Sequence, residues 1–326
     1  MCIRDRGSST FWKGRAMGSL PIASKLRIPP VPRRAVRRGR LLDALDRAIP
    51  HARLVLISAP AGYGKTTLAS QWARENESRV AWVSLDEDDD VYRFLRYLLA
   101  AWEEVQPGVS NSRPGVLLAE PSPDVEAVLV AFANLASEVS DDAPDGVVFF
   151  LDDYHLAANP AIDEALAFLL DHVPPAFHFV VISREEPSLP LARYRARGEL
   201  AEFGAADLTF EAGESTAFLN DTMGLDLTDD QAAALQAQVE GWIAGLQLVA
   251  LAQQKRPTRG DDLVVTGRQR FIADYLSQDV LAPLPEDQRR FLLETSIVDR
   301  LSGALCDAIT GGEDGQEKLE TLEREN

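Results

Sequence analysis

The segment Ser58-Ala59-Pro60-Ala61-Gly62-Tyr63-Gly64-Lys65-Thr66-Thr67 has the residue types and spacing of a phosphate-binding loop. Gly62 and Gly64 allow successive backbone N–H groups to turn inward around phosphate oxygens. A helix opening at Lys65 would add the partial positive charge of its N-terminus. Lys65 would reach the β- and γ-phosphates, and the Thr66 hydroxyl would ligate Mg²⁺. The chemistry implied is binding of ATP or ADP, with Ala61, Gly62, Tyr63, Gly64, Lys65, Thr66 and Thr67 forming the cradle. The strict pattern opens with Gly, whereas Ala59 stands there in this chain.

A second element is Phe149-Phe150-Leu151-Asp152-Asp153, an apolar run that ends in two acids. In a parallel α/β sheet, ligands bind beyond the carboxyl ends of the strands, so these acids would lie beside the P-loop. Asp152 would hold Mg²⁺ through water or through Thr66. Asp153 would orient or deprotonate an attacking water. Two acids after a strand are most often a solvated turn. Their position 87 residues after Lys65, with a strand and helices between, favours the functional reading. Ser183-Arg184 closes another apolar run, and Arg184 could sense the γ-phosphate. The bland alternative is a surface ion pair with Glu185 or Glu186. His155, His172 and His178 fit no metal-ligand spacing and read as structural.

These residues need a scaffold. Leu54–Ile57, Val80–Val83, Val147–Leu151 and Phe177–Ile182 are short apolar runs typical of strands buried on both faces. A helix is expected from about Lys65 to Asn76. Another opens at Ser122-Pro123, and a third covers 160–172. Strands alternating with helices specify an α/β fold with a parallel sheet flanked by helices. Beyond about residue 210 the strand runs stop. Thr228-Asp229-Asp230-Gln231 forms a capping box for one long helix carrying Leu235, Val239, Trp242, Leu246 and Val249. A polar linker over 255–262 and helical patterns at 269–281, 286–294 and 302–309 follow.

Composition narrows the function. The net charge is −18, yet residues 1–40 hold eleven Arg or Lys against the one acid Asp5. The acidic remainder disfavours nucleic-acid contact and a mechanical DNA translocase. With only Cys2 and Cys306, neither a zinc cluster nor a disulfide framework is supported. No apolar run approaches a membrane span, and a cytoplasmic setting is expected. Met1-Cys2-Ile3-Arg4-Asp5-Arg6 reads as foreign to the fold, with Met17 as a candidate start, so residues 1–23 are assigned to a non-native or disordered lead-in.

Three motifs taken together resemble those of the large ATP-binding LuxR-type transcriptional regulators, which are signal-transduction ATPases with numerous domains. They are Ala59–Thr67, Leu151-Asp152-Asp153-Tyr154-His155 and Ser183-Arg184. Lys25-Leu26-Arg27-Ile28-Pro29-Pro30 and Gly241-Trp242-Ile243-Ala244-Gly245-Leu246-Gln247-Leu248 extend the resemblance over about residues 24–310. The resemblance implies a P-loop NTPase domain over 24–205, a helical domain over 206–265 and an incomplete winged-helix domain over 266–326. It implies a switch in which ADP holds a closed resting form. Inducer binding then favours ATP, self-association and DNA binding, and slow hydrolysis resets the state. Lys65, Thr66, Asp152, Asp153 and Arg184 take the family's nucleotide, Mg²⁺, catalytic and sensor positions. Arg40 is placed at the adenine side. The family's sensor repeats and C-terminal helix-turn-helix are not in this sequence, so DNA would be read only through a domain outside it. Gln247 stands where related switches often have Pro near the adenine. Two other classes remain: a metabolic P-loop enzyme such as a small-molecule kinase, or a non-hydrolysing nucleotide-holding module. The kinase would need an Arg-rich phosphate lid, for which Arg193, Arg195 and Arg197 are the one candidate cluster, and their alternate spacing reads rather as a solvated segment.

Overall fold

Side chains on a strand alternate between its two faces, and in this protein both faces are apolar. Leu54 and Leu56 of β1 (Leu54–Ser58) face one layer while Val55 and Ile57 face the other. The same parity divides β2 (Val80–Ser84), β3 (Val147–Asp152) and β4 (Phe177–Ser183). On the first face lie α3 (Val91–Val105), α5 (Val125–Val139) and α7 (Pro160–His172), which contribute Phe94, Trp102, Phe132 and Leu166. On the second lie α1 (Gly39–Ala48) and α2 (Lys65–Glu75), with Leu42, Leu45, Leu68 and Trp72.

This is a computed structural model that describes residues 21–140, 146–157, 159–255, 277, 281–282, 284–298 and 300–324. Residues 1–20 of the lead-in, the linker beyond Lys255 and most of the helix expected at 269–281 lie outside the described residues.

The sheet is fully parallel in the order β2-β3-β4-β1-β5, with β5 at Leu200–Phe203. Strand β4 therefore lies between the P-loop strand and the strand carrying Asp152, and Ser58 pairs in register with Ser183. All three strand ends open on the same edge of the sheet.

Several elements differ from the sequence reading. Strand β5 is an additional strand whose four residues are mostly half-exposed, so it lacks the apolar run that marks the others. Helix α3 and the short α4 (Arg113–Leu118) were also not expected. Helix α5 opens at Val125, not at Pro123. Its N-cap is Asp124, whose carboxylate accepts from the N–H groups of Glu126 and Ala127, a stronger cap than Ser122 could supply at that register. Helix α6 (Tyr154–Ala157) follows β3 and precedes α7, and after β4 come α8 (Leu191–Arg197), α9 (Ala205–Leu208) and α10 (Ala212–Ala217).

The single long helix expected from Thr228 is two helices. The capping box forms as read, with Gln231 N–H donating to Thr228 Oγ1. Helix α11 then ends at Gln238, Glu240 and Gly241 adopt left-handed backbone at φ 51° and 71°, and α12 runs Ile243–Lys255. A Cβ on Gly241 would lie 3.0 Å from the Phe210 carbonyl, so glycine is required by space as well as by φ. The helices close a separate small core of Phe210, Phe218, Leu219, Leu235, Leu246 and Val249. Helices α13 (Glu286–Thr295), α14 (Gly303–Thr310) and α15 (Gly315–Arg324) form another around Phe291, Cys306 and Leu322.

Candidate nucleotide-binding site

Strand β1 delivers the chain to the P-loop at the open sheet edge. Ala59 is buried and is not among the residues with left-handed backbone, so the side chain replacing the first glycine is accommodated without strain. Gly62 and Gly64 do require the left-handed region, at φ 85° and 75°. Gly64 is the N-cap of α2, which puts Lys65 and Thr66 in its first turn. Lys65 folds over the loop, its Nζ donating to the carbonyls of Ala59 at 2.5 Å and Pro60 at 2.9 Å. Burial pulls the Lys65 ammonium down to about 8. Arg184 acts in the same direction, and Asp153 and Asp152 oppose it.

Parity aims the first acid. Leu151 faces the α3 layer, so Asp152 turns toward α2, where the Thr66 hydroxyl donates to its Oδ1 at 2.9 Å. The two motifs, 86 residues apart, meet in this bond. Asp152 is only 3% exposed, and burial followed by the neighbouring Asp153 pushes its carboxyl up to about 6. A buried hydroxyl and carboxylate side by side are hard oxygen donors. They suit Mg²⁺, which takes one or two protein ligands and completes its shell with water and phosphate oxygens. Among the described residues no cluster of three metal-ligating side chains exists that would suit a metal held by protein alone.

The adjacent Asp153 has left-handed backbone at φ 54°, uncommon outside glycine though most tolerated by Asn and Asp. The chain thereby breaks from strand into α6 directly at the acid. Arg184 follows the last residue of β4 and acts electrostatically on both Lys65 and His155. Thus Lys65, Thr66, Asp152, Asp153 and Arg184 gather at one sheet edge.

His155 joins them. Both of its ring nitrogens are buried without a hydrogen-bond partner. Burial first, and Arg184 next, lower it to about 4, so the imidazole is neutral at pH 7. Sequence spacing could not reveal this, because Arg184 and Lys65, whose charges act on the ring, are distant from it along the chain.

Arg40 lies at the start of α1, against the segment that follows β5. Its Nη2 donates to the carbonyls of Asp207 and Thr209, and it pairs with Glu211. Arg38, which the sequence did not single out, is buried beside it. It donates to the carbonyls of Leu208 and Thr209, pairs with Glu214 and lies over the Phe210 ring. Gln247 is exposed on α12.

The sheet order, the P-loop and the acids on the third strand define a P-loop NTPase of the AAA type. An AAA ATPase domain model matches residues 30–182, and a MalT winged helix domain model matches residues 277–326. The chain is similar to HTH-type transcriptional regulators of the MalT type. It is 36% identical over 313 residues to the HTH-type transcriptional regulator MalT of Yersinia enterocolitica, covering 93% of this chain and 33% of that protein. It is also 36% identical over 308 residues to the protein of the same name in Vibrio parahaemolyticus, with the same coverage. The chain therefore spans 33% of the length of the curated relatives it matches. Among solved structures, the Walker-type ATPase paby2304 of Pyrococcus abyssi superposes with a TM-score of 0.62 at 15% identity, covering 92% of this chain and 93% of that one. That likeness bears on the fold alone.

Proposed function

We propose that this chain is the nucleotide switch of a cytoplasmic transcriptional activator. It binds ADP in a resting state and Mg²⁺–ATP in an active one, and it hydrolyses ATP slowly. The observation that carries the reading is the Thr66–Asp152 hydrogen bond. It joins the phosphate loop to the acidic strand end and leaves Lys65, Asp153 and Arg184 around one point.

Each residue has a definable task. The P-loop N–H groups and the Lys65 ammonium bind the β- and γ-phosphates. Thr66 and Asp152 would hold Mg²⁺, which when bound neutralises phosphate charge. Asp153 accepts the proton of the attacking water as its oxygen bonds to the γ-phosphorus and ADP departs. His155, neutral and unpaired, is available to bond that water or a phosphate oxygen. Arg184 stabilises charge on the γ-phosphate and so favours ATP over ADP in the active state. Self-association in the ATP state, and DNA recognition by a domain outside this sequence, complete the proposal.

The kinase alternative loses its lid. Arg193 pairs with Asp171, Arg195 with Glu202 and Arg197 with Glu199 along an exposed helix. The test is calorimetric titration of ATP and ADP with Mg²⁺ into the wild type and Lys65→Ala, together with phosphate release. The expected result is binding by the wild type, turnover of well under one per second, and about 100-fold weaker binding by the variant, the scale of one lost charge-assisted contact. Equal affinity in the two proteins would remove the P-loop from the mechanism.

A further inference from the structure

A loop that offers N–H groups to phosphate must send the carbonyls of the same peptide units the other way, because the trans peptide is planar with its N–H and C=O opposed. Two such carbonyls are capped here by the helical region. Trp242 Nε1 donates to the Ala61 carbonyl at 3.1 Å. The Ala244 N–H donates to the Gly62 carbonyl at 3.0 Å. Fixing these carbonyls turns the N–H groups of Gly62 and Tyr63 toward the opposite face of the loop, the face that a phosphate occupies in a P-loop.

The contact is close as well as polar. A Cβ on Gly62 would lie 2.6 Å from the Ala244 Cβ and 2.8 Å from Trp242 Nε1. A Cβ on Gly64 would lie 3.0 Å from the Ile243 Cδ1. One on Gly245 would lie 2.6 Å from the Trp242 ring, so that glycine makes room for the indole. Three successive residues, Trp242, Ile243 and Ala244, thus press on the loop. They can do so because the left-handed pair Glu240 and Gly241 ends α11 and restarts the chain as α12 at this point.

We propose that this elbow is the outer half of the phosphate site. Trp242 is a positioning residue that presets the Gly62 and Tyr63 amides for the β-phosphate. This deepens the nucleotide-binding reading and rests on it. The elbow acts on whatever carries a β-phosphate and leaves the rest of the nucleotide untouched. Removing the indole N–H should therefore weaken ADP and ATP together and spare AMP.

The experiment compares the whole wild-type chain with Trp242→Phe, which keeps an aromatic ring and loses the donor. Affinities for ADP, ATP and AMP are measured by calorimetry. Amide hydrogen exchange over residues 58–68 is followed without nucleotide. The expected result is about five-fold weaker ADP and ATP binding, the worth of one net hydrogen bond, with AMP binding within two-fold of wild type and faster exchange of the loop amides. Gly62→Ala, which drives a methyl group into the same contact from the loop side, should show the same split with a larger loss. Unchanged ADP affinity in Trp242→Phe overturns the proposal. So does an equal loss for all three nucleotides, which marks a merely structural role. A wild type that binds no nucleotide refutes the nucleotide reading itself, whereas a binding wild type with an indifferent Trp242→Phe refutes the elbow alone.

Discussion

The sheet domain and the helical region beside it are held by different forces. In the first, two continuous apolar layers pack on either face of β1, β3 and β4, and Trp82 stacks on Phe150 at 5.2 Å inside one of them. In the second, a small core around Leu235 and Leu246 is tied to the sheet domain by directed polar contacts involving Arg38, Arg40, Trp242 and Ala244, beside the close approach of Ile243 and Ala244 to the loop glycines. Close-packed apolar layers have one good arrangement and resist small displacements. Hydrogen bonds to loop carbonyls can be exchanged when the loop takes a new ligand. The difference assigns fixed chemistry to the sheet edge and adjustable geometry to the joint.

The largest expected effect tests the fixed part. Asp153→Asn should slow ATP hydrolysis by about 10²–10⁴-fold, the range for loss of a general base, while ADP affinity stays at the wild-type value. Single-turnover phosphate release measures it. Undiminished turnover would take Asp153 out of the chemistry and leave the sheet edge as a binding site only.

The next tests the joint. Arg38→Ala leaves the buried Leu208 carbonyl without its donor, and Glu214 and the Thr209 carbonyl with Arg40 alone, at a cost of about 2 kcal/mol. Calorimetric unfolding should show that loss in the helical region first, with hydrogen exchange of residues 205–255 accelerated and the sheet strands protected as before. A change below about 0.5 kcal/mol, the usual effect of an inconsequential surface substitution, would mean that apolar contact alone holds the two regions together.

The smallest concerns pH. The free protein holds Asp152 raised to about 6 and Lys65 lowered to about 8, each displaced from the charge state that binds Mg²⁺–nucleotide. Binding should therefore release a proton as pH falls toward and below 6, and take one up as pH rises through 8. Affinity should be greatest between those values and fall by up to about ten-fold per pH unit outside them. Calorimetry in buffers of different ionisation enthalpy reads the proton count directly. A count of zero at both pH 5.5 and pH 8.5 would separate these two groups from the ligand.

How much of this was legible depended on distance along the chain. The P-loop, the acid pair and four of the five strands announce themselves in contiguous residues, whereas the direction of Asp152 depends on which helices cover each face of the sheet. Strand β5 was not legible because Leu200–Phe203 is an edge strand with little burial. Helix α3 was missed although Phe94, Leu95, Leu98 and Trp102 recur at helical spacing. The roles of Arg38 and His155 depend on neighbours up to 176 residues away.

By itself the sequence determined that this protein has a parallel sheet with a phosphate loop at its edge, since apolar runs, glycines and a Lys-Thr pair act locally. Only the tertiary structure decided that the long helix after Thr228 breaks at Glu240 and Gly241, and that the break places Trp242 on the Ala61 carbonyl 181 residues away. A periodic pattern is blind to such a turn. Its stability depends on left-handed backbone and on hydrogen bonds whose partners meet only once the chain has folded.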